Sequence, residues 1–473
     1  MNMKKSLTII ICLVASLVFS SCKKFLDVKP KSVISEDQLF ASEIGFQQAL
    51  TGVYSQLASR ALYGDNLSMG FVSALAQNYA VSGAGAPFVQ TRALNFASAE
   101  VIGYTNNIWD TAYAAIAGVN KIIASTEKRK DVLSATSYAL IRGEALALRA
   151  FLHFEVLRMF GPEYTTGAAM KAIPYKTTVD QYAKIPSVTS EVVTLALADL
   201  SEAADLMKDA DPVLTGSQNR RIRMNYFAVK ALEARIRIYA GDKQGAFQAA
   251  AVVVNSGKFP FVTPYAASSA AGYRDRLYID EEIFCIRVRD IKNWAERQYF
   301  RFNGSANQKL TRSAGNFSTL YETAAGGATD FRFLYRIEQD GGVPFPSKFW
   351  QTYQFNTLDS NRLDQHVPAI RLSEMYYIMA EAAVTPEEGA GYLNTVRKNR
   401  ALPELQAGTI TQQILEKEIT KEYQKEFYAE GQLFFYYKRK KITKMLFMTA
   451  EIPLSKYVLP IPESELEFNP NYN

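Results

Sequence analysis

The sequence predicts a mainly α protein: a tetratricopeptide-like helical scaffold with an irregular, loop-rich region containing a few short strands. Three observations carry that prediction. Ile141 to Gly161 holds two apolar stripes side by side, one through Ile141, Ala145, Leu148, Leu152 and Met159, the other through Ala147, Ala150, Phe154 and Leu157. That is the pattern of a helix packed on more than one side. Met224 to Ala240 repeats its style, with Ala231-Leu-Glu-Ala-Arg235 beside Ala145-Leu-Ala-Leu-Arg149, and Gly241-Asp242 then turns into a second helix carrying Ala246 and Ala250. Helix pairs with small residues at recurrent positions suggest a degenerate tetratricopeptide set. Finally, Pro260 to Gln365 is crowded with glycine and proline (Gly326-Gly327, Gly341-Gly342, Pro344-Phe-Pro346) and reads as the least helical stretch.

The elements follow in order. Lys4-Lys5, an apolar run from Leu7 to Phe19 and Ser20-Ser21 before Cys22 make 1–21 a signal peptide. The small residues before Cys22 resemble a bacterial lipobox, so Cys22 is the expected lipidation site, anchoring the protein to a membrane without inserting it. Glu36 to Ser59 reads as a helix, and Tyr63 to Glu100 as mostly loop. Helices follow at Tyr104 to Ser125, through the Ile141 stretch to Gly161-Pro162, and at Val188 to Lys208. Gly161 is expected to take a left-handed cap. Glu282 to Val288 and Phe331 to Ile337 are candidate strands. Helices return at Ile370 to Ala382, behind the capping box Thr385-Pro-Glu-Glu388, and as one long helix from Ile414 to Lys440. The organisation is therefore a 22–258 N-terminal region and a 259–473 C-terminal region. The latter has its loop-rich part at about 259–368 and its last helices and tail at 369–473. No linker separates the two, so they interleave as one unit.

Composition excludes several functions. The 473 residues are 48% apolar, ample for a large core. The net charge of +6 is scattered, which disfavours nucleic-acid binding. Lys438-Arg-Lys-Lys441 ends an aromatic helix, where cations are at home. Arg142, Arg149 and Arg158 are spaced so that each pairs with a carboxylate. With only His153 and His366 there is no His-Glu-x-x-His zinc motif, and no Gly-x-Ser-x-Gly elbow or phosphate loop occurs. Cys285, in a strand, reads as a buried inert thiol. No catalytic residue, cofactor or metal site is therefore assigned. A carboxylate pair of the glycosidase kind needs only spatial proximity, so a secreted glycoside hydrolase stays as an alternative, as does a tetratricopeptide or peptide-binding adaptor.

For binding, the informative residues are aromatics outside helical periodicity, because a sugar ring packs its C–H face on an aromatic while amides and guanidinium groups meet its hydroxyls. The candidates are Tyr63, Asn66, Tyr79 and Arg92 in the first irregular stretch and Tyr273, Trp294, Tyr299 and Asn303 in the second. Trp109, Tyr376 and Tyr377 fall at helical spacing and read as core, and Trp350 as structural.

Several motifs, in order along the chain, carry a family resemblance. They are Cys22-Lys-Lys-Phe-Leu-Asp27, Gly143-Glu-Ala145 with Arg149-Ala150 and Phe160-Gly161, Arg371-Leu-Ser-Glu374 through Ala380-Glu-Ala382, Leu393-Asn394 with Val396-Arg397, Glu426-Phe427 with Glu430-Gly431, and Pro460 to Glu465 with Asn469-Pro470. Together the chain resembles the SusD/RagB family of outer-membrane nutrient-binding lipoproteins. The resemblance implies a SusD-like fold and an outer-membrane, surface-exposed location through a lipid anchor. It also implies an oligosaccharide or peptide ligand bound without chemistry, and a SusC-like TonB-dependent transporter barrel as partner.

Overall fold

The computed structural model describes residues 34–472 apart from 82–84, 181, 217–219, 298–308 and 352–362. The signal segment, Cys22, Tyr299 and Asn303 lie outside the described residues. The longer helices are α1 (Glu43–Leu57), α2 (Ala99–Lys128), α3 (Ala135–Phe160), α4 (Thr189–Met207), α5 (Tyr226–Tyr239), α6 (Lys243–Asn255), α7 (Leu372–Ala382), α8 (Pro386–Lys398), α9 (Gln412–Glu426) and α10 (Leu433–Arg439). Each packs on the next in chain order. Among the described residues the strands form three antiparallel pairs: β1 (Lys171–Ile173) with β2 (Ser187–Val188), β3 (Glu282–Arg287) with β6 (His366–Arg371), and β4 (Ile337–Asp340) with β5 (Val343–Pro346). The mainly helical class with a few short strands is what the apolar periodicity predicts.

Side-chain caps set most helix starts. Ser98, Ser134, Asn225, Asp242, Thr385 and Thr411 each accept a backbone N–H from the first turn of the helix they precede. α3 is buried over nearly its whole length from Ile141 to Phe160, as its double stripe requires. Gly143 is where α4 crosses it: a Cβ there would meet Met207 Cγ at 2.6 Å. The spaced arginines are paired. Arg142 reaches Glu202 and Glu127, Arg149 binds Asp199 with two bonds of 2.7 and 2.6 Å, and Arg158 pairs with Glu155. Arg235, the counterpart of Arg149 on α5, binds Glu374 of α7 in the same two-pronged way at 2.7 and 2.6 Å.

Five sequence expectations are corrected. Gly161 is not left-handed but extended (φ −83°, ψ 161°); glycine is required there by space, since a Cβ would lie 2.9 Å from the Leu157 carbonyl oxygen. The Glu36 to Ser59 helix is interrupted before α1, because Ser42 caps Gly45 and a Cβ at Gly45 would collide with the Leu39 carbonyl. Phe331–Arg336 is helical, started by Asp330, which accepts the Arg332 N–H, and the strand begins only at Ile337. The helix expected at Ile370 starts at Leu372, its first two residues ending β6. The long final helix breaks at Phe427, where Ala429 and Gly431 take φ of 60° and 75°.

That break receives the stretch from Tyr63 to Tyr79. Ala429 donates its N–H to Asn78 Oδ1 and Gly431 to Ser73 Oγ, while a Cβ on Gly431 would lie 2.0 Å from the Leu67 carbonyl. The stretch is a buried plug, not a surface loop. Its backbone polar groups are met by tight turns, which is what lets irregular chain sit in a core. The basic run begins in the interior: Lys438 Nζ donates to the Arg158 and Gly161 carbonyls at the end of α3, and half-buried Arg439 forks onto Glu381.

Beneath α9 lies a buried ionic cluster. Glu426 accepts from Arg332 (2.8 Å), Arg371 and Arg400 (2.9 and 3.0 Å); Arg400 also forks onto Glu281, Arg371 onto Glu430, and Arg332 onto Asp330 and Glu422. It ties the turn before β3, the Phe331–Arg336 helix, β6, the turn after α8 and α9 together. Burial alone would raise the Glu426 carboxyl, and Arg400, Arg371 and Arg332 more than reverse this, holding it well below the carboxylate range.

Candidate functional site: a cleft beside Trp294

A cleft of about 750 Å³ opens between the C-terminal half of α1 and the end of β3. It is lined by Tyr54, Arg223, Arg287, Arg289 and Gln365 with apolar Ala58, Ile222 and Val288. The helix bearing the Gly-Glu-Ala motif builds its floor. Glu144 accepts from the Tyr54 hydroxyl (2.5 Å) and pairs with Arg223 (2.6 Å), and Arg223 lies 4.7 Å from the Tyr54 ring centre. Burial pushes the Tyr54 hydroxyl well above its ordinary value, and the Glu144 carboxylate adds to this, so Tyr54 stays a neutral donor. Met224 N–H donates to the same hydroxyl at 2.8 Å. On the opposite wall Arg287 Nε donates to Gln365 Oε1 at 3.0 Å, and Arg289 is exposed. The cleft thus offers one aromatic edge, three guanidinium groups, an amide and a few apolar patches.

Trp294 does not line the cleft; it lies on the short helix Ile291–Ala295 that follows Arg289. Two residues past Ala58, Arg60 lies over the Trp294 ring, 3.2 Å from its centre, and the Trp294 backbone N–H donates to the Asp290 carbonyl just beyond Arg289. Trp294 is half-buried. Of the other residues singled out from sequence, Tyr63, Asn66 and Tyr79 are corrected. All three are buried in the plug, Tyr63 stacked on Phe151 of α3, Tyr79 donating to the Met69 carbonyl and Asn66 to that of Ala61, so they present no face to a ligand. Arg92 is half-buried and donates to the Val81 carbonyl. Tyr273 is 51% exposed but does not line the cleft. Trp109 and Tyr377 are core, and Tyr376, half-buried, packs on Phe261. Trp350 donates its indole N–H to Glu296 and lies against Arg276.

The sequence reading missed the cleft residues because Tyr54 and Arg223 carry helical or near-helical spacing that reads as scaffold. The signal present was Arg287-Val-Arg289, whose two arginines project from a strand end. His153 is a packed histidine: Nδ1 bonds the Arg149 carbonyl, Nε2 accepts from Lys176 N–H, and burial lowers it to about 3. Among the described residues one group has metal-ligand chemistry, Glu282, Cys285 and His366. Burial pushes the Cys285 thiol up, and Glu282 adds to it.

Comparison with known proteins identifies the family. A family model described as starch-binding, associating with the outer membrane, matches residues 24–237, and the SusD family model matches residues 297–453. The chain belongs to the SusD/RagB family. SusD-like protein P38 of Formosa agariphila is 27% identical over 281 residues, 59% of this chain but 50% of P38, so the chain spans half of that relative. SusD-like protein P25 of the same organism is 21% identical over 455 residues, covering 81% of this chain and 80% of P25. A SusD superfamily protein from Bacteroides thetaiotaomicron superposes with a TM-score of 0.72 at 22% identity, covering 91% of this chain and 98% of that one. A SusD-like carbohydrate-binding protein from Bacteroides vulgatus gives 0.70 at 19%, covering 91% and 97%. At those identities the likeness establishes the shared fold. SusD family proteins are outer-membrane associated. Among the described residues no helix is long and apolar enough to cross a membrane.

Proposed function

We propose that this protein is a cell-surface lipoprotein, anchored through Cys22, that captures an oligosaccharide and delivers it to a TonB-dependent transporter barrel. The ligand is bound and released with no bond made or broken. The observation that carries the reading is the cleft. Tyr54, the guanidinium groups of Arg223, Arg287 and Arg289, and Gln365 converge on one cleft, with Trp294 on the short helix that follows Arg289, in a chain matched by a family model described as starch-binding. An aromatic flanked by fixed donors suits the alternation of apolar C–H faces and hydroxyl acceptors on a sugar chain. Of the residues named from sequence, Trp294 and Arg92 keep a partly accessible place and Tyr273 an open one.

Delivery is tested by solubilising outer membranes gently and recovering the protein by a C-terminal tag. A co-purifying barrel of the TonB-dependent kind is expected; its consistent absence would refute the transport half of the reading. A glycoside hydrolase would release reducing sugar from a bound glycan, and this account expects none. Cys22→Ala is expected to move the protein from the membrane to the soluble fraction; persistence in the membrane would refute the lipid anchor.

A further inference from the structure

Strand geometry places an unusual trio beside the cleft. In a regular strand residues three apart face opposite sides. Glu282 and Cys285 of β3 nevertheless converge, because the β3–β6 register shifts between Glu282 and Phe284 and again between Phe284 and Cys285. Bulges of this kind re-aim side chains. His366 of β6 completes the group: its Nδ1 lies 2.7 Å from Glu282 Oε2 and 3.4 Å from Cys285 Sγ, and one ligand atom from each residue lies within 4.8 Å of the other two. All three residues are buried, Glu282 and Cys285 completely. The second carboxylate oxygen, Glu282 Oε1, is buried with no hydrogen-bond partner. A buried charge-bearing oxygen left bare is costly, and a cation at this point would satisfy it.

We infer that Glu282, Cys285 and His366 bind a divalent cation of borderline softness, Zn²⁺ by preference, which fastens β3 to β6 at the edge of the cleft. Thiolate, imidazole and carboxylate together are zinc-type ligands, unlike the all-oxygen shells that calcium and magnesium take. Metal–ligand bonds of about 2.0–2.3 Å in tetrahedral array hold ligand atoms roughly 3.3–3.7 Å apart. The Nδ1–Sγ separation already falls in that range, and the Nδ1–Oε2 contact opens by less than about 1 Å. On binding, the Cys285 thiol gives up its proton to solvent, the imidazole carries its proton on Nε2, and Glu282 binds through a carboxylate oxygen. Three protein ligands leave a fourth position for Glu282 Oε1 or a water. The trio borders the cleft: Arg287 pairs with His366 across the strands, and Gln365 precedes it, both lining the cleft.

The test is to strip the full chain with a chelator and titrate it with Co²⁺, which reports a thiolate ligand by an intense near-ultraviolet charge-transfer band. One equivalent per chain is expected, displaced by Zn²⁺, with the band lost in Cys285→Ser while the far-ultraviolet circular dichroism is retained. Because a chain that is not processed also carries the Cys12 and Cys22 thiols, the difference between the two proteins is the reading. Zn²⁺ should also raise the melting temperature of the unsubstituted protein, reversed by chelator, a measurement that needs no variant. Absence of the band, its persistence in Cys285→Ser, or a melting temperature indifferent to Zn²⁺ would each overturn the inference.

Discussion

Glu426→Gln isolates the electrostatic role of the ionic cluster, since it keeps the side-chain shape and removes one charge. In the native protein this carboxylate is fully buried and accepts from Arg332, Arg371 and Arg400. The substitution leaves these guanidinium groups to share Asp330, Glu281, Glu422 and Glu430. Removing one partner from a buried ion pair typically costs about 3–5 kcal/mol. Unfolding entropy is about 2.1 cal/mol/K per residue, so over roughly 440 residues unfolding as one unit that cost lowers the melting midpoint by about 3–5 °C. Calorimetry of the two proteins at pH 7 measures it. The cluster is also coupled, so Arg400→Met should cost less in the Glu426→Gln background than alone. A midpoint within about 0.5 °C of the parent, or strictly additive losses, would refute the idea that the Glu-Phe-x-x-Glu-Gly motif exists to hold this cluster.

Three further outcomes are expected. Gly431→Ala should destabilise by about 2–5 kcal/mol, since a Cβ meets the Leu67 carbonyl at 2.0 Å and φ is 75°; Gly391→Ala, in open space within α8, should instead stabilise by about 0.5–1 kcal/mol. Denaturant midpoints decide both signs. His153 is held at about 3, below its ordinary value near 6.5. Its stabilising contribution is therefore full above about pH 6.5 and is lost as pH falls towards 3, by up to about 4–5 kcal/mol. His153→Gln should flatten the stability profile between pH 6.5 and 5, and an unchanged slope would refute the assignment. Glu422 and Glu381 are both lowered to about 2: burial opposes this, while Arg332, Lys425 and Arg397 act on the first and Arg439 and Lys440 on the second. Their contributions are present above about pH 4.5 and lost between there and pH 2, so acid unfolding followed by circular dichroism should steepen in that window and shift to higher pH in Arg439→Met.

What the sequence made legible was what local periodicity encodes. The double stripe of α3, the Thr385-Pro start of α8 and the echo of Arg149 in Arg235 all survive as packed helices with paired arginines. What it hid depends on residues far apart in the chain. The break after Glu426 exists because Asn78 and Ser73, some 350 positions earlier, take the Ala429 and Gly431 N–H groups. Nothing near Phe427 except Gly431 hints at it. The same plug explains why Tyr63 and Tyr79 are core: a stretch without helical period reads as exposed, whereas here tight turns satisfy the backbone internally. Phe331–Arg336, rich in aromatic residues, looks like a strand, yet the capping of Arg332 by Asp330 and the demand of the ionic cluster for Arg332 make it helical. The cleft combines α1, the turn before α5 and the end of β3, three segments no spacing rule connects.

The most direct test of ligand capture is native affinity electrophoresis through gels cast with individual polysaccharides, comparing the unsubstituted chain with Trp294→Ala and, as a surface control, Tyr265→Ala. The account predicts retardation by at least one glycan, weakened about tenfold or more in Trp294→Ala, which is at least about 1.4 kcal/mol, and unchanged in Tyr265→Ala, whose ring is exposed and does not line the cleft. Mobility indifferent to every glycan, or retardation equal in all three proteins, would contradict it.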